Sequence, residues 1–371
     1  MATFDMKKIF IPALILLLSH LSIGQTTKKV LGLHEDKEVN LYTLTNKSGY
    51  VLKLTNYGAR IVRIEVPDKN GNIDNVTTGG ETLETIVKGD AFGGATVGRY
   101  ANRIAKGTFT LDGAAYNLPI NNGPNTLHSG PKGWYAQVWS SETKRNKATV
   151  RFSYISPDME AGFPGKVNMS VTYTWTDDNE IIIDYLATTD KKTVFNVTNH
   201  AYFNLNGTGK GFIQNHVLTI NASNYTPVDN TLIPTGDIKS VRDTPFDFTT
   251  PHTIGERIGS MFEAVAFRGY DHNYVLDRNA KIAATAYAPE SGRMMEVITD
   301  EPGLQFYSGN SRSWNQFKET GNMPENSRSS FALETQHYPD SPNHSEFPST
   351  VLTPNKPYKS RTIYRLSVKG D

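Results

Sequence analysis

The residues whose types could do chemistry fall into six short clusters. They are Gly98-Arg99-Tyr100-Ala101-Asn102-Arg103, Asn125-Thr126-Leu127-His128-Ser129-Gly130 and Thr198-Asn199-His200-Ala201-Tyr202-Phe203-Asn204. Further on come Asp271-His272-Asn273, Pro302-Gly303-Leu304-Gln305-Phe306-Tyr307 and Leu333-Glu334-Thr335-Gln336-His337-Tyr338-Pro339-Asp340. Aromatic side chains are interleaved with amides, imidazoles, carboxylates and guanidinium groups. That mixture suits a neutral polyol such as a sugar. Hydroxyls need paired donors and acceptors, and the apolar face of a sugar ring packs on aromatic groups. Taken singly these residues have blander roles. A lone His is usually a satisfied buried or surface side chain, Arg103 half of an ion pair, and Asp271 a turn or capping residue.

Several chemistries are excluded. There is no phosphate-binding G-x-x-x-x-G-K-[ST] loop, no G-x-S-x-G elbow and no H-E-x-x-H pair. Gly93-Gly94 and Gly98 are spaced too loosely for a dinucleotide fingerprint. The chain has no cysteine, which removes disulfides, thiolate metal sites and a Cys nucleophile. His200, His272, Glu334 and His337 are metal-ligand types, but nothing in their spacing requires a metal, and no cofactor is expected. With 38 Lys and Arg against 37 Asp and Glu, no electrostatic pull toward nucleic acid is expected.

Period-two alternation dominates the elements that must position these clusters. Val62, Ile64 and Val66 share one face, and Ala148, Val150, Phe152 and Tyr154 another. Val167 to Trp175 alternates without a break, and Ile181, Ile183 and Tyr185 resume the pattern after a turn. Phe109 and Leu111 lead into Asp112-Gly113, a hairpin signal, and Thr362 to Val368 is the last strand candidate. Helical signals are confined to Glu81 to Lys88 and Ile254 to Val265. No alternating strand–helix run appears, so a doubly wound or barrel α/β fold is not expected. A length of 371 residues favours two domains as a soft prior, but no linker divides the chain. The expectation is an all-β, large antiparallel β-sandwich forming a single domain over residues 25–371.

Residues 1–24 read as a secretory signal peptide. Lys7 and Lys8 precede the apolar run Ile9 to Leu18, and Ser22 and Gly24 supply small residues before a cut at Gln25. Met6 is an alternative start. A spanning anchor fits less well, because Pro12, Ser19 and His20 interrupt the run. The mature chain is expected to be exported, periplasmic or secreted, without stable membrane insertion. It would carry 36 basic and 36 acidic residues. Oligomeric state is not legible.

Read in order, the clusters resemble those of the aldose 1-epimerase (galactose mutarotase) family. The matching stretches are Gly98 to Gly107, Asn125 to His128, Thr198 to Leu205, Asp271 to Tyr274, Pro302 to Asn310 and Leu333 to Gln336. The resemblance runs from about Asn40 to Val368. It implies a β-supersandwich fold and interconversion of the α and β anomers of a free aldose, glucose or galactose in type. By motif, Glu334 matches the family's catalytic base, His200 its catalytic acid and His128 its second active-site histidine. Arg103, Asp271 and Gln305 match sugar-binding positions, and Asn102 a further contact.

The implied chemistry suits the residues. Mutarotation removes a proton from the anomeric hydroxyl and delivers one to the ring oxygen. A carboxylate ionised at neutral pH and a protonated imidazole suffice. Rival readings are a glycoside hydrolase using Asp271 and Glu334, a non-catalytic sugar-binding module, and an epimerase for phosphorylated hexoses. One local departure stands out. Ser129-Gly130-Pro131-Lys132-Gly133-Trp134-Tyr135-Ala136-Gln137 replaces the family's more usual Gly-Gly and Gly-Phe-Asp-Lys, which leaves sugar preference open.

Overall fold

A computed structural model describes residues 25–144, 147–261, 269–310 and 328–369. The expected leader, residues 1–24, lies outside the described residues. Three antiparallel sheets hold most of the strand residues. The first runs in sequence order through Gln25–His34, Lys37–Thr45, Val51–Thr55, Arg60–Pro67 and Ile73–Asn75. The second has nine strands. In spatial order they are Ser140–Thr143, Thr149–Ser156, Val167–Trp175, Glu180–Thr189, Tyr358–Val368, Arg293–Thr299, Ala284–Tyr287, Val217–Ile220 and His252–Thr253. The third has six, ordered Tyr202–Phe203, Phe331–Gln336, Gly303–Tyr307, Asp271–Val275, Asn224–Tyr225 and Lys239–Ser240.

The alternation that marks Val167 to Trp175 has a direct cause. Val167, Met169, Val171, Tyr173 and Trp175 all enter the main apolar cluster, while Asn168 is exposed and Thr172 and Thr174 are half-buried. That cluster draws residues from all three large sheets, from Tyr42 to Leu366. The nine- and six-stranded sheets are joined where Tyr364 meets Phe203 edge-on at 5.2 Å and donates its hydroxyl to the Leu333 carbonyl at 3.0 Å. Thr335 and Thr362 add a hydroxyl contact at 2.6 Å.

Local signals act as their chemistry demands. Asp112 and Gly113 both have positive φ, 49° and 80°, and close a two-residue hairpin between Thr108–Leu111 and Ala114–Asn117. Positive φ at both positions gives the turn the twist of its flanking strands. The helical signal at Glu81 to Lys88 becomes Leu83–Lys88, started by a reciprocal cap between Thr82 and Thr85. The other helical expectation differs. Ile254 lies in a turn and Ile258–Met261 forms a short 3₁₀ segment, while residues 262–265 lie outside the described residues. The backbone N–H groups of Ile254 and Gly255 donate to His216 and Gln214, away from a helical ladder.

Candidate active site

The strand Phe331–Gln336 is buried at every position. Phe331 and Leu333 point into the core, so Ala332, Glu334 and Gln336 face the other side. A carboxylate in such a strand is costly unless something uses it. Register lines up its neighbours. Asn273 pairs with Gln305 and Gln305 with Glu334, so these three share a face with Asp271.

His200 arrives on another segment. The short strand Thr198–Asn199 pairs with Thr96–Val97. The His200 N–H then donates to the Ala95 carbonyl at 2.9 Å, and its carbonyl accepts from Gly94 at 2.8 Å. Thr126–Leu127 pairs with Arg103–Ile104, which brings His128 beside Asn102 and Arg103. Asn102 and His128 both adopt left-handed backbone, with φ of 63° and 53°. Such conformations cost about 1–3 kcal/mol each unless the surroundings enforce them. Here the enforcement is reciprocal. The His128 N–H donates to the Asn102 carbonyl at 3.0 Å, and the Asn102 N–H donates to His128 Nδ1 at 3.0 Å.

The result is a cavity of about 200 Å³ lined by Asn102, Arg103, His128, His200, Asp271 and Glu334, with Phe92, Leu127, Tyr202 and Tyr307 as apolar or aromatic walls. Six of the seven residues singled out by sequence thus meet on one surface. Gln305 does not line it. It stands behind Asp271, donating Nε2 to Asp271 Oδ1 at 2.6 Å. Arg103 contacts Asp271 Oδ2 at 3.4 Å and donates Nε to Asn122 at 3.1 Å. Sequence reasoning did not single out Phe92, Tyr202, Tyr307 or Asn122. Tyr202 and Tyr307 lay inside quoted clusters, whereas Phe92 lay outside all of them.

His200 Nε2 lies 3.5 Å from Glu334 Oε1, both side chains being almost fully buried. Burial pushes the Glu334 carboxyl up to about 7; His200 and Arg103 pull it down and Asp271 pushes it further up. This corrects the expectation of an ordinary carboxylate fully ionised at neutral pH. His128 goes the other way. Burial, with His200 and Arg103 nearby, holds it well below the usual imidazole value, so it is neutral. Its Nδ1 accepts a backbone N–H, which places the remaining proton on Nε2 and makes that atom a donor. His200 Nδ1, Glu334 Oε2 and Gln305 Oε1 are buried and have no hydrogen-bond partner among the described residues. Buried polar atoms of this kind are normally satisfied, so a ligand that pairs with them gains accordingly.

His128, His200 and Glu334 bring ligand-type atoms within 4.8 Å of one another. Their chemistry fits a cation poorly, because the His128 atom free to ligate already carries its proton. Two other sequence candidates lie apart from this cluster. His272 is buried against Phe246, and its pKa is lowered by burial to about 4. His337 pairs through Nδ1 with Glu301 at 2.7 Å.

Fold and cleft together define an all-β protein of the galactose mutarotase-like supersandwich type. Among solved structures, the galactose 1-epimerase of Lactobacillus acidophilus NCFM superimposes with a TM-score of 0.80 at 26% identity, covering 94% of this chain and 100% of that one. An aldose epimerase homologue from C. elegans gives 0.78 at 30% identity, covering 87% and 97%. The chain belongs to the aldose 1-epimerase family, whose profile matches residues 40–365. Galactose mutarotase of Bos taurus is 41% identical over 318 residues, 85% of this chain and 90% of that protein. Aldose 1-epimerase of Escherichia coli K12 is 38% identical over 330 residues, 88% of this chain and 94% of that protein.

Proposed function

We propose that this chain interconverts the α and β anomers of a free aldose by general acid–base ring opening and closure. The observation that carries the reading is the Glu334–His200 pair, 3.5 Å apart in a cleft walled by aromatic rings and amides. The two oxygens that exchange protons in this reaction sit on one carbon. An acid and a base that address them must therefore be close neighbours, and these are.

Glu334 removes the proton of the anomeric hydroxyl, and His200 protonates the ring oxygen as the C1–O5 bond breaks. The open aldehyde rotates about C1–C2. Closure returns the proton from Glu334 to the new hydroxyl, and His200 recovers its own. His128 donates from Nε2, steadying the sugar oxygens without itself exchanging a proton. Arg103, Asn102 and Asp271 hold hydroxyls, and Gln305 fixes the Asp271 carboxylate. A hydrolase reading is weaker, because Asp271 is already engaged by Arg103 and Gln305.

The test is polarimetry on freshly dissolved α-D-glucose and α-D-galactose, with the spontaneous rate subtracted. Catalysed approach to anomeric equilibrium is expected. Sugar binding without acceleration rejects the enzyme in favour of a binding module, and release of an aglycone from a chromogenic glycoside favours a hydrolase. The same assay carries a pH prediction. Only ionised Glu334 can act as base, and its pKa is about 7. The acid limb of kcat/KM is expected to rise with pH through a midpoint near 7. A profile flat from about pH 5.5 to 8.5 removes Glu334 as the titrating base.

We propose also that residues 1–24 are a cleaved leader and that the mature chain works outside the cytoplasm, on the Lys7-Lys8, apolar and small-residue order of that segment. Mass spectrometry of the protein from its native host is expected to find Gln25 at the N-terminus; an intact Met1 or Met6 terminus overturns this.

A further inference from the structure

Whereas Tyr202 packs on His200 at 4.9 Å, Phe92 is a cavity wall that meets both histidines. Its ring meets His128 edge-on at 4.6 Å and lies nearly parallel to His200 at 6.0 Å and 28°. Behind it stands Tyr135, edge-on at 4.8 Å. The strip that carries Phe92 is held by several hydrogen bonds. Asp90 Oδ1 accepts the N–H groups of Phe92 and Gly93 at 3.0 and 3.2 Å. The buried Arg60 guanidinium donates to the carbonyls of Asp90, Ala91 and Tyr135, so one cation holds both the strip that carries Phe92 and the residue that backs it. The Tyr135 hydroxyl is itself fixed on the Gly130 carbonyl at 2.7 Å. Phe92 is nevertheless only half-buried, and it faces both the catalytic cavity and a polar groove of about 710 Å³ beside it.

The stretch Ser129 to Gln137, where the sequence departs from family usage, does not line the cavity. One route by which it reaches a cavity wall is the contact of Tyr135 with Phe92. We propose that Phe92, backed by Tyr135, is the specificity-determining wall of this site: its aromatic face packs on the C–H surface of the bound aldose while the polar groups hold the hydroxyls. The proposal rests on the reading of the cleft as a site for a free aldose. Aromatic faces favour sugars whose ring hydrogens form one continuous patch. The axial hydroxyl of galactose leaves such a patch on the opposite side of its ring, so galactose depends on Phe92 more than glucose does.

The experiment is anomeric exchange measured by NMR on D-galactose and D-glucose with the full-length protein and four variants. Phe92→Ala and Phe92→Leu are expected to raise KM for galactose about tenfold, the upper end for one lost aromatic contact, and KM for glucose less, with kcat little changed. Phe92→Tyr and Tyr135→Phe keep both aromatic rings and are expected to preserve the wild-type ratio of the two KM values. If Phe92→Leu restores wild-type KM, or if kcat falls in step for both sugars, Phe92 merely packs the histidines and the proposal fails. Unchanged constants in Phe92→Ala, with an active wild type, sink this proposal alone. A wild type that does not speed exchange sinks the functional reading and this proposal with it.

Discussion

Glu334→Gln is expected to lower kcat by about 10²–10⁴-fold, the usual contribution of one general base, while KM changes little. The amide keeps the shape of the side chain, and the strand Phe331–Gln336 keeps its packing on both faces. What is lost is the ability to take a proton. A second consequence separates this residue from an ordinary structural carboxylate. Its folded pKa, about 7, is raised from 4.5, so ionisation is disfavoured in the folded state. Below the unfolded value both states hold the proton and Glu334 is neutral to stability. Between the two values the folded state keeps a proton that the unfolded state releases, so stability falls as pH rises. Above the folded value the full cost stands, on the order of 3 kcal/mol. Gln carries no such cost. Denaturant unfolding of the two proteins at pH 5 and pH 9 is the measurement. The variant's stability relative to wild type is expected to improve between them; no change would mean that Glu334 is not held in a costly ionised state.

His200→Asn is expected to lower kcat by a similar factor of about 10²–10⁴ through loss of the acid. It also reaches Glu334 directly. His200 lies 3.5 Å from that carboxylate and is the leading influence holding its pKa down against burial. Without the imidazole, burial acts with less opposition, and the acid limb of the residual activity is expected to move to higher pH. The pH profile of the variant therefore reads a coupling that a single-pH rate cannot. A limb that stays in place while kcat collapses would separate the two residues and weaken the paired mechanism. Residual activity near wild type would remove His200 from the proton transfers.

Much of the architecture was legible because a half-buried sheet writes its register into every second residue. Val167 to Trp175 shows this best: each apolar position there is in the core, so the pattern and the fold are the same fact. The site was legible for a different reason: its polar clusters, read in order, resemble those of the aldose 1-epimerase family, although singly each residue has a blander role. Polar groups such as Glu334 and Gln305 sit in strands buried on both faces, a placement that physical chemistry tolerates only where something uses it. What escaped the sequence is what depends on distant partners. The pKa of Glu334 depends on burial and on His200, Asp271 and Arg103, none of them its neighbours in the chain. Phe92 sits outside every cluster, and its place against two histidines comes from the loop mount held by Arg60. In the described part of the apolar pattern at Ile254 to Val265, Ile254 is buried from a turn and Ile258 from a 3₁₀ segment, so the pattern there does not mark an α-helix.

The strand Tyr358–Val368 lies in the middle of the nine-stranded sheet, between Glu180–Thr189 and Arg293–Thr299. Both partners precede it in the chain, Glu180–Thr189 by a long stretch. Until it is laid between them, each flanking strand exposes an unpaired edge, and Tyr364 cannot bridge to Leu333 behind the strand that carries Glu334. Closure of the sheet therefore rests on pairings far apart in the chain and is correspondingly slow. A chain that has not made this pairing has open sheet edges and an unsupported site.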